Sequence, residues 1–430
     1  MKINPGLEDL KASLLRQLES SSISKTGNNI PQIQESLAKV AAMQFPGSTQ
    51  EEWKYSPFSI EKEAQFVLRH THGKAAVSLS TDGLEDCQKI VFVDGFFVPT
   101  LSDLQEIQGL TVQPLAEKAE PFAQNLAGYE DTIFSHLNQV TALTGGISIE
   151  VAPKAVIKNP IVFVHLFSEI EQSAWVQPRI HIQIGERAEV SFAELWQNPS
   201  NQALVVNSLT QIHLASESMV RWLNFENWTA NSSLINQTRA EVATKAVFQH
   251  YVIAMGEGYI RNNLEIRING KEGDAHMYGL SLGNFKFHVD HHTFVNHKAE
   301  NTTSNQLYKS ILSGKSNGVF NGKILVDQAA QKTNAYQSSK NILLSADAKV
   351  NAKPQLEIFA DDVKCSHGAT IGQLDEEPVF YLRSRGLDEA TAKQLLLQAF
   401  AVEIFEKIDH PSLKNQIGQK VMDYMGSMLS

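Results

Sequence analysis

Between Arg179 and Lys353 the chain carries a single proline, Pro199, and almost no helical periodicity. Apolar and polar residues alternate instead, which is the period of a half-buried strand. The strands read are Ile161–Leu166, Arg179–Ile184, Ala188–Leu195, Ser208–Leu214, Met219–Phe225, Asn263–Ile268, Met277–Leu282 and Lys323–Val326, and most of them alternate in this way. A β stretch this long, with no helices interleaved, excludes βαβ architectures and leaves a sandwich, a barrel or a β-solenoid. Segments such as INGKEGDAHMYGLSL, SGKSNGVFNGKILVD and TNAYQSSKNILLSADAKV each read as turn, short strand, turn. That recurrence favours a parallel β-helix, although no fixed period emerges.

Helical patterns flank this body. Leu7, Leu10, Leu14, Leu15 and Leu18 repeat at helical spacing, and Gly27-Asn28-Asn29 interrupts them. Pro31 then opens a second helix through Leu37, Val40 and Ala41. Lys89–Val98 reads as a hairpin with Asp94-Gly95 as its two-residue turn. Past Pro378, Asp388 is placed as an N-cap with Glu389 in the first turn. Leu396, Phe400 and Ile404 then share one helix face, widened by Leu397, Ala401, Phe405 and Ile408. The expected organisation is a mostly helical segment with a small β insert (1–145), a β-helix (146–375) and a helical tail (376–430).

Charge and cysteine content exclude several classes of function. The 430 residues carry 37 basic and 47 acidic side chains, a net charge of −10. No basic patch is available to neutralise phosphates, so a nucleic-acid partner is not expected. Two cysteines support neither a disulfide framework nor a self-contained thiolate metal site. No apolar run approaches the roughly 20 residues that span a bilayer. The opening MKINPGLEDLKASLL lacks the apolar core of a signal peptide, so a cytoplasmic protein is expected. The sequons at Asn227, Asn231, Asn236 and Asn301 then carry no meaning.

Two clusters could carry chemistry. In DDVKCSHGATIG, Asp361-Asp362 marks a turn, and an extended strand after it places Cys365 and His367 on one face. A thiolate beside an imidazole suits iron, zinc or copper(I). The alternative is a buried apolar cysteine next to a structural histidine, which the usual burial of cysteine favours. In His288-Val289-Asp290-His291-His292, with His297 beyond, alternation puts His288, Asp290 and His292 on one face. That face reads either as a divalent-metal site or as a polar turn and solvent-facing edge, and the second is preferred. Gly314-Lys315-Ser316 fails as a phosphate loop, because Lys309 stands where the motif needs glycine. Met255-Gly256-Glu257-Gly258 is an isolated glycine pair, no GxSxG elbow occurs, and Cys87 reads as a bystander.

The run from Pro354 to Phe400, PQLEIFADDVKCSHGATIGQLDEEPVFYLRSRGLDEATAKQLLLQAF, resembles the C-terminal signature of the SufB/SufD family. Ser304–Lys309, Gly322-Lys323-Ile324, Ala329–Thr333, the EEWKY start at Glu51–Tyr55 and the VFVDGFFVP run look like the same family. The EEWKY start, the CSHGAT box and the length favour its SufD side. The resemblance implies a right-handed parallel β-helix flanked by helical domains. It implies a non-catalytic scaffold subunit of the Suf iron–sulfur assembly complex, pairing with a SufB-like paralogue through the β-helix. A SufC-like ATPase would dock on the C-terminal helices, which gives Leu396, Phe400 and Ile404 a reading as a partner interface. His367, with Cys365 beside it, would bind a transient iron–sulfur cluster shared with SufB, none being held tightly by the isolated chain. A homodimer is expected when the paralogue is absent. Two other readings compete: a β-helix enzyme on a polyanionic carbohydrate using His288–His292, and a purely structural homo-oligomeric module.

Overall fold

In a computed structural model of the chain, the described residues are 5–20, 30–60, 65–73, 84–103, 107–117, 131–168, 172–197 and 203–429. Gly27-Asn28-Asn29, Pro199 and part of the 65–98 segment lie outside them. The body is a parallel β-solenoid, as the alternation and the recurring turns predict. Each coil gives one strand to each of two facing sheets. The first sheet runs β4 (Leu110–Pro114), β5 (Ile147–Val151), β8 (Arg179–Ile184), β10 (Leu204–Leu214), β12 (Ser232–Val242), β14 (Tyr259–Ile268), β16 (His288–His297), β18 (Asn317–Val326) and β20 (Lys349–Ile358). Beside this path, β7 (Ala174–Val176) pairs with β10 and β1 (Val67–Leu68) pairs with β7. The second sheet runs β3 (Phe96–Phe97), β2 (Gln88–Val93), β6 (Ile161–Leu166), β9 (Glu189–Gln197), β11 (Met219–Trp228), β13 (Val247–Gly256), β15 (Asp274–Gly283), β17 (Thr303–Leu312), β19 (Asn334–Leu343) and β21 (Lys364–Gly372).

The missing fixed period has a structural counterpart. Paired residues in neighbouring coils are 26 apart at Ser233 and Tyr259 but 32 apart at Asn317 and Lys349. What repeats is one corner. Arg187, Glu217, Lys245, Glu272, Asn301 and Lys332 adopt left-handed backbone with φ between 57° and 60°. Such a conformation is costly for a residue with a Cβ. Each of these N–H groups donates to a carbonyl of the next coil, at 2.6 to 3.3 Å, which offsets the strain. A small residue follows in every case: Ala188, Ser218, Ala246, Gly273, Thr302 and Thr333. At another corner the geometry requires glycine, because Gly256 has φ +127° and a Cβ there would meet the Trp228 carbonyl oxygen at 2.1 Å.

Helices close both outer faces. Helices α1 (Pro5–Ser20), α2 (Pro31–Ala42) and α3 (Ile133–Gly145) cover the first sheet. Leu7, Leu10, Leu14, Leu18, Ile33 and Val40 pack there with Trp175, Val205 and Ile235. Of the residues that mark α2 in the sequence, Val40 is buried, Leu37 half-buried and Ala41 exposed, and Ile33 is buried with Val40. Pro31 opens α2 as predicted. Helices α4 (Glu376–Ser384), α5 (Glu389–Phe405) and α6 (Pro411–Ser427) follow the last coil, and Asp388 caps α5 by accepting from the Thr391 N–H at 2.9 Å. Leu397, Ala401, Ile417 and Val421 of α5 and α6 bury against Leu223, Ile253 and Leu280 of the second sheet. The predicted hairpin is present, with Val93 opposite Phe96 and positive φ at Asp94 and Gly95. Its first strand pairs parallel with β6, so this β segment is a rung of the second sheet.

Candidate functional site

The two sheets end differently along the solenoid axis. At the C-terminal end β20 and β21 are the last strands of their sheets, so each presents one unpaired backbone edge. Strand pairing assigns the direction of each side chain in β21. Cys365 pairs with the buried Ala335 and His367 with the buried Gln337. Both side chains therefore point to the interior side of the last coil, as the predicted alternation requires. No further coil covers that side, so His367 is exposed and Cys365 only half-buried. Cys365 rests on the interior apolar cluster. Burial holds its thiol above the ordinary cysteine value, opposed by the Ala335 backbone. A metal arriving here must displace that proton. Tyr336, Phe359 and Ile371 leave further apolar surface at the same end.

The second predicted cluster is arranged otherwise. His288, Asp290 and His292 do share a face of β16, but they lie inside a strand and under the N-terminal segment. The turn and solvent-facing edge expected of them is therefore corrected. His288 meets the Ser56 hydroxyl at 2.9 Å and Asn317 at 3.1 Å, and stacks on Tyr259. Asp290 takes a 2.6 Å hydrogen bond from Arg261 in an ion pair with both side chains almost fully buried. His292 contacts Arg261 at 2.9 Å and Glu52 at 3.1 Å. His291 faces inward to the Ser281 hydroxyl at 2.7 Å, and His297 meets Thr302 and Ser304 at 2.8 Å each. These contacts take both ring nitrogens of His288, His292 and His297, and no cluster of three or more potential ligands is found among the described residues. The carbohydrate-enzyme reading loses its site with them.

On α5, Ile404 is fully buried, while Leu396 and Phe400 are half-buried. Phe400 is held by Lys309, whose ammonium donates to its carbonyl at 2.7 Å and lies 4.5 Å from the centre of its ring. This face serves the packing of the helix on the β body. The apolar side chains left exposed on α4 and α5 are Phe380, Tyr381, Leu395 and Val402. A cavity of about 1050 Å³ beside them is lined by residues including Leu344, Leu374, Glu377, Phe380 and Lys393. Cys87 is core, with burial pushing its thiol to about 11.

Sequence reasoning missed a polar strip inside the solenoid. The Glu226 carboxylate accepts from Asn236 at 3.1 Å and from Asn262 at 2.8 Å. Complete burial raises its carboxyl to about 7. The His165 ring meets Glu194 at 2.9 Å. Inward-pointing polar residues in strand alternation are the signal, but alternation alone does not say which face is inside. Among the described residues, no helix is long and apolar enough to cross a membrane.

Comparison with known proteins follows the same outline. Residues 167–400 match the model of the SufBD core domain of the SUF system for iron–sulfur cluster assembly. Over 398 residues the chain is 31% identical to the iron–sulfur cluster assembly protein SufD of Escherichia coli, covering 90% of this chain and 91% of that one. It is also 31% identical over 404 residues to an iron–sulfur cluster assembly SufBD family protein of Synechocystis, covering 89% and 88%.

Proposed function

Because this chain belongs to the SufBD family and has a role in iron–sulfur cluster assembly by the Suf system, we propose that it is a non-catalytic scaffold subunit working in the cytosol. Its open solenoid end pairs with a SufB-like paralogue. Its C-terminal helices receive a SufC-like ATPase at the exposed side chains around Phe380, Leu395 and Val402, with Leu396, Phe400 and Ile404 packing the helix behind them. The nascent cluster is substrate, bound in transit between the two β-helices. His367 supplies an imidazole ligand, and Cys365 a thiolate once iron has displaced its proton.

One observation carries this reading: the only two unpaired strand edges at the C-terminal end of the described solenoid flank the coil that holds Cys365 and His367. Unpaired edges of nine to ten residues are templates for strand addition. Two donors alone do not hold a cluster, which commonly takes four protein ligands, so a partner must complete the set. Without the paralogue, a second copy of this chain satisfies the same edges.

The test is a pull-down of SufB-like and SufC-like partners with wild-type chain and with His367→Ala, followed by anaerobic iron and sulfide analysis. The proposal expects both complexes to assemble and the variant to lose its cluster. Assembly with an unchanged iron and sulfide content would remove His367 from the ligand set. Failure of the wild type to assemble would refute the scaffold reading itself.

A further inference from the structure

The segment Glu51-Glu52-Trp53 runs across successive strands of the first sheet. Register places Asn263, His292, Asn321 and Lys353 in one lateral column over β14, β16, β18 and β20. Glu52 accepts from Asn321 at 3.0 Å and meets His292 at 3.1 Å, while Glu51 is bonded to Lys353. Consecutive acidic side chains thus hold three successive members of that column. The segment is anchored at its other end. The Arg261 guanidinium lies 3.7 Å from the Trp53 ring centre and donates to the Glu52 carbonyl at 3.0 Å. Arg261 is fixed in turn by its buried ion pair with Asp290. His292 of β16, with Lys353 of β20 and Asn321 of β18, holds the Glu52 carboxyl down at about 2 against the opposing effect of burial, so it is ionised at neutral pH.

The last column member belongs to β20, an outermost strand of the open end. An edge strand paired on one side frays easily, because half of its backbone groups have no partner in the sheet. Neighbouring strands lie about 4.8 Å apart, so the segment bridges roughly 14 Å of sheet and ends on that edge. The second edge, β21, has no such contact with the segment among the described residues.

We propose that Glu51-Glu52-Trp53 is a staple that fixes the edge strand β20 in register for the docking of a second β-helix. The inference rests on the reading of the open end as a docking edge. The staple makes the two edges unequal: β20 is pre-ordered, while β21, which bears Cys365 and His367, is left free to adjust.

Hydrogen exchange on the full chain, compared between wild type, Glu52→Ala, Lys353→Glu and the swap Glu51→Lys with Lys353→Glu, tests it. Each single variant is expected to speed exchange over residues 349–358 about tenfold, with 364–372 and the inner coils unchanged, and the swap to restore protection. Association with a SufB-like chain should weaken about tenfold in the single variants and return in the swap. Unchanged exchange over 349–358, or an equal rise in both edges and the inner coils, would overturn the staple. Selective loosening without any loss of pairing would overturn its role in docking. If the wild type itself does not pair, the docking reading fails, whereas the exchange comparison still decides whether the staple holds β20.

Discussion

The two ends of the solenoid handle the same hazard in opposite ways. At the N-terminal end β4 pairs antiparallel with β5, and β3 folds back antiparallel on β2. These short reversals end each sheet in a brief strand that offers little for another chain to extend. At the C-terminal end two strands of full coil length stop with their outer backbone groups unpaired. Burial follows the same division. Trp222 and Phe192 are enclosed in the interior cluster of the inner coils, whereas Leu356 and Cys365 only lean against it in the last one. The fold thus closes one end with short reversals and leaves the other open.

Core truncation should break the two ends unequally. Trp222→Ala is expected to cost about 4 kcal/mol, since it leaves a large cavity in a sealed coil. Leu356→Ala in the last coil should cost less than about 1 kcal/mol in the free chain, because solvent already reaches that site. Denaturant midpoints of both variants check the contrast, and equal losses would mean that the last coil is as well packed as the others.

Next in size is the interior carboxyl. Glu226 titrates at about 7 when folded, against roughly 4.3 when unfolded. The folded state therefore binds its proton more tightly. Its stability contribution is complete below about pH 4 and is lost as the pH rises to about 7, a total of just under about 4 kcal/mol. Glu226→Gln should abolish that decline and unfold at higher urea than wild type at pH 8. Urea titrations between pH 5 and pH 8 measure it, and an unaltered slope would place the titration elsewhere.

Charging the edges separates the ends by function. Ile371→Asp at the open end should weaken association with a SufB-like chain about 100-fold. Thr111→Asp on β4 should leave association unchanged, and sedimentation velocity reads both. His367→Ala should produce the smallest change in stability, within about 0.5 kcal/mol, because the ring is exposed and holds nothing in the free chain. A thermal shift of several degrees would show that His367 supports the fold.

Much of the fold was legible because strands announce themselves by alternation. Arg179–Ile184 was read to the residue, and Met219–Phe225 is the first part of β11. Val247–Gly256 was not read as a strand, and Asn334–Leu343 was read only as a short strand between turns, without bounds. The first has apolar residues on both faces, and the second puts Gln337, Ser339 and Asn341 inside, so neither shows the simple pattern. Both are strands because neighbouring coils pair with them. The corner motif, a left-handed polar residue before a small one, was not read, because its spacing is irregular and its backbone conformation shows only in the fold. The shared face of Cys365 and His367 followed from parity alone. The burial of His288, Asp290 and His292 did not, because their cover comes from Glu52 and Ser56, over 230 residues away.

By itself the sequence determined what local periodicity encodes: a β body without βαβ units, helices at both flanks, the Asp388 cap, and a thiol and an imidazole on one strand face. Tertiary structure decided which faces are inside, that Arg261 and the N-terminal segment bury one histidine cluster, and that no coil covers the other. Side-chain parity is a property of the extended backbone and needs no neighbours. Burial and edge availability depend on what lies across the sheet, and only the folded chain fixes that.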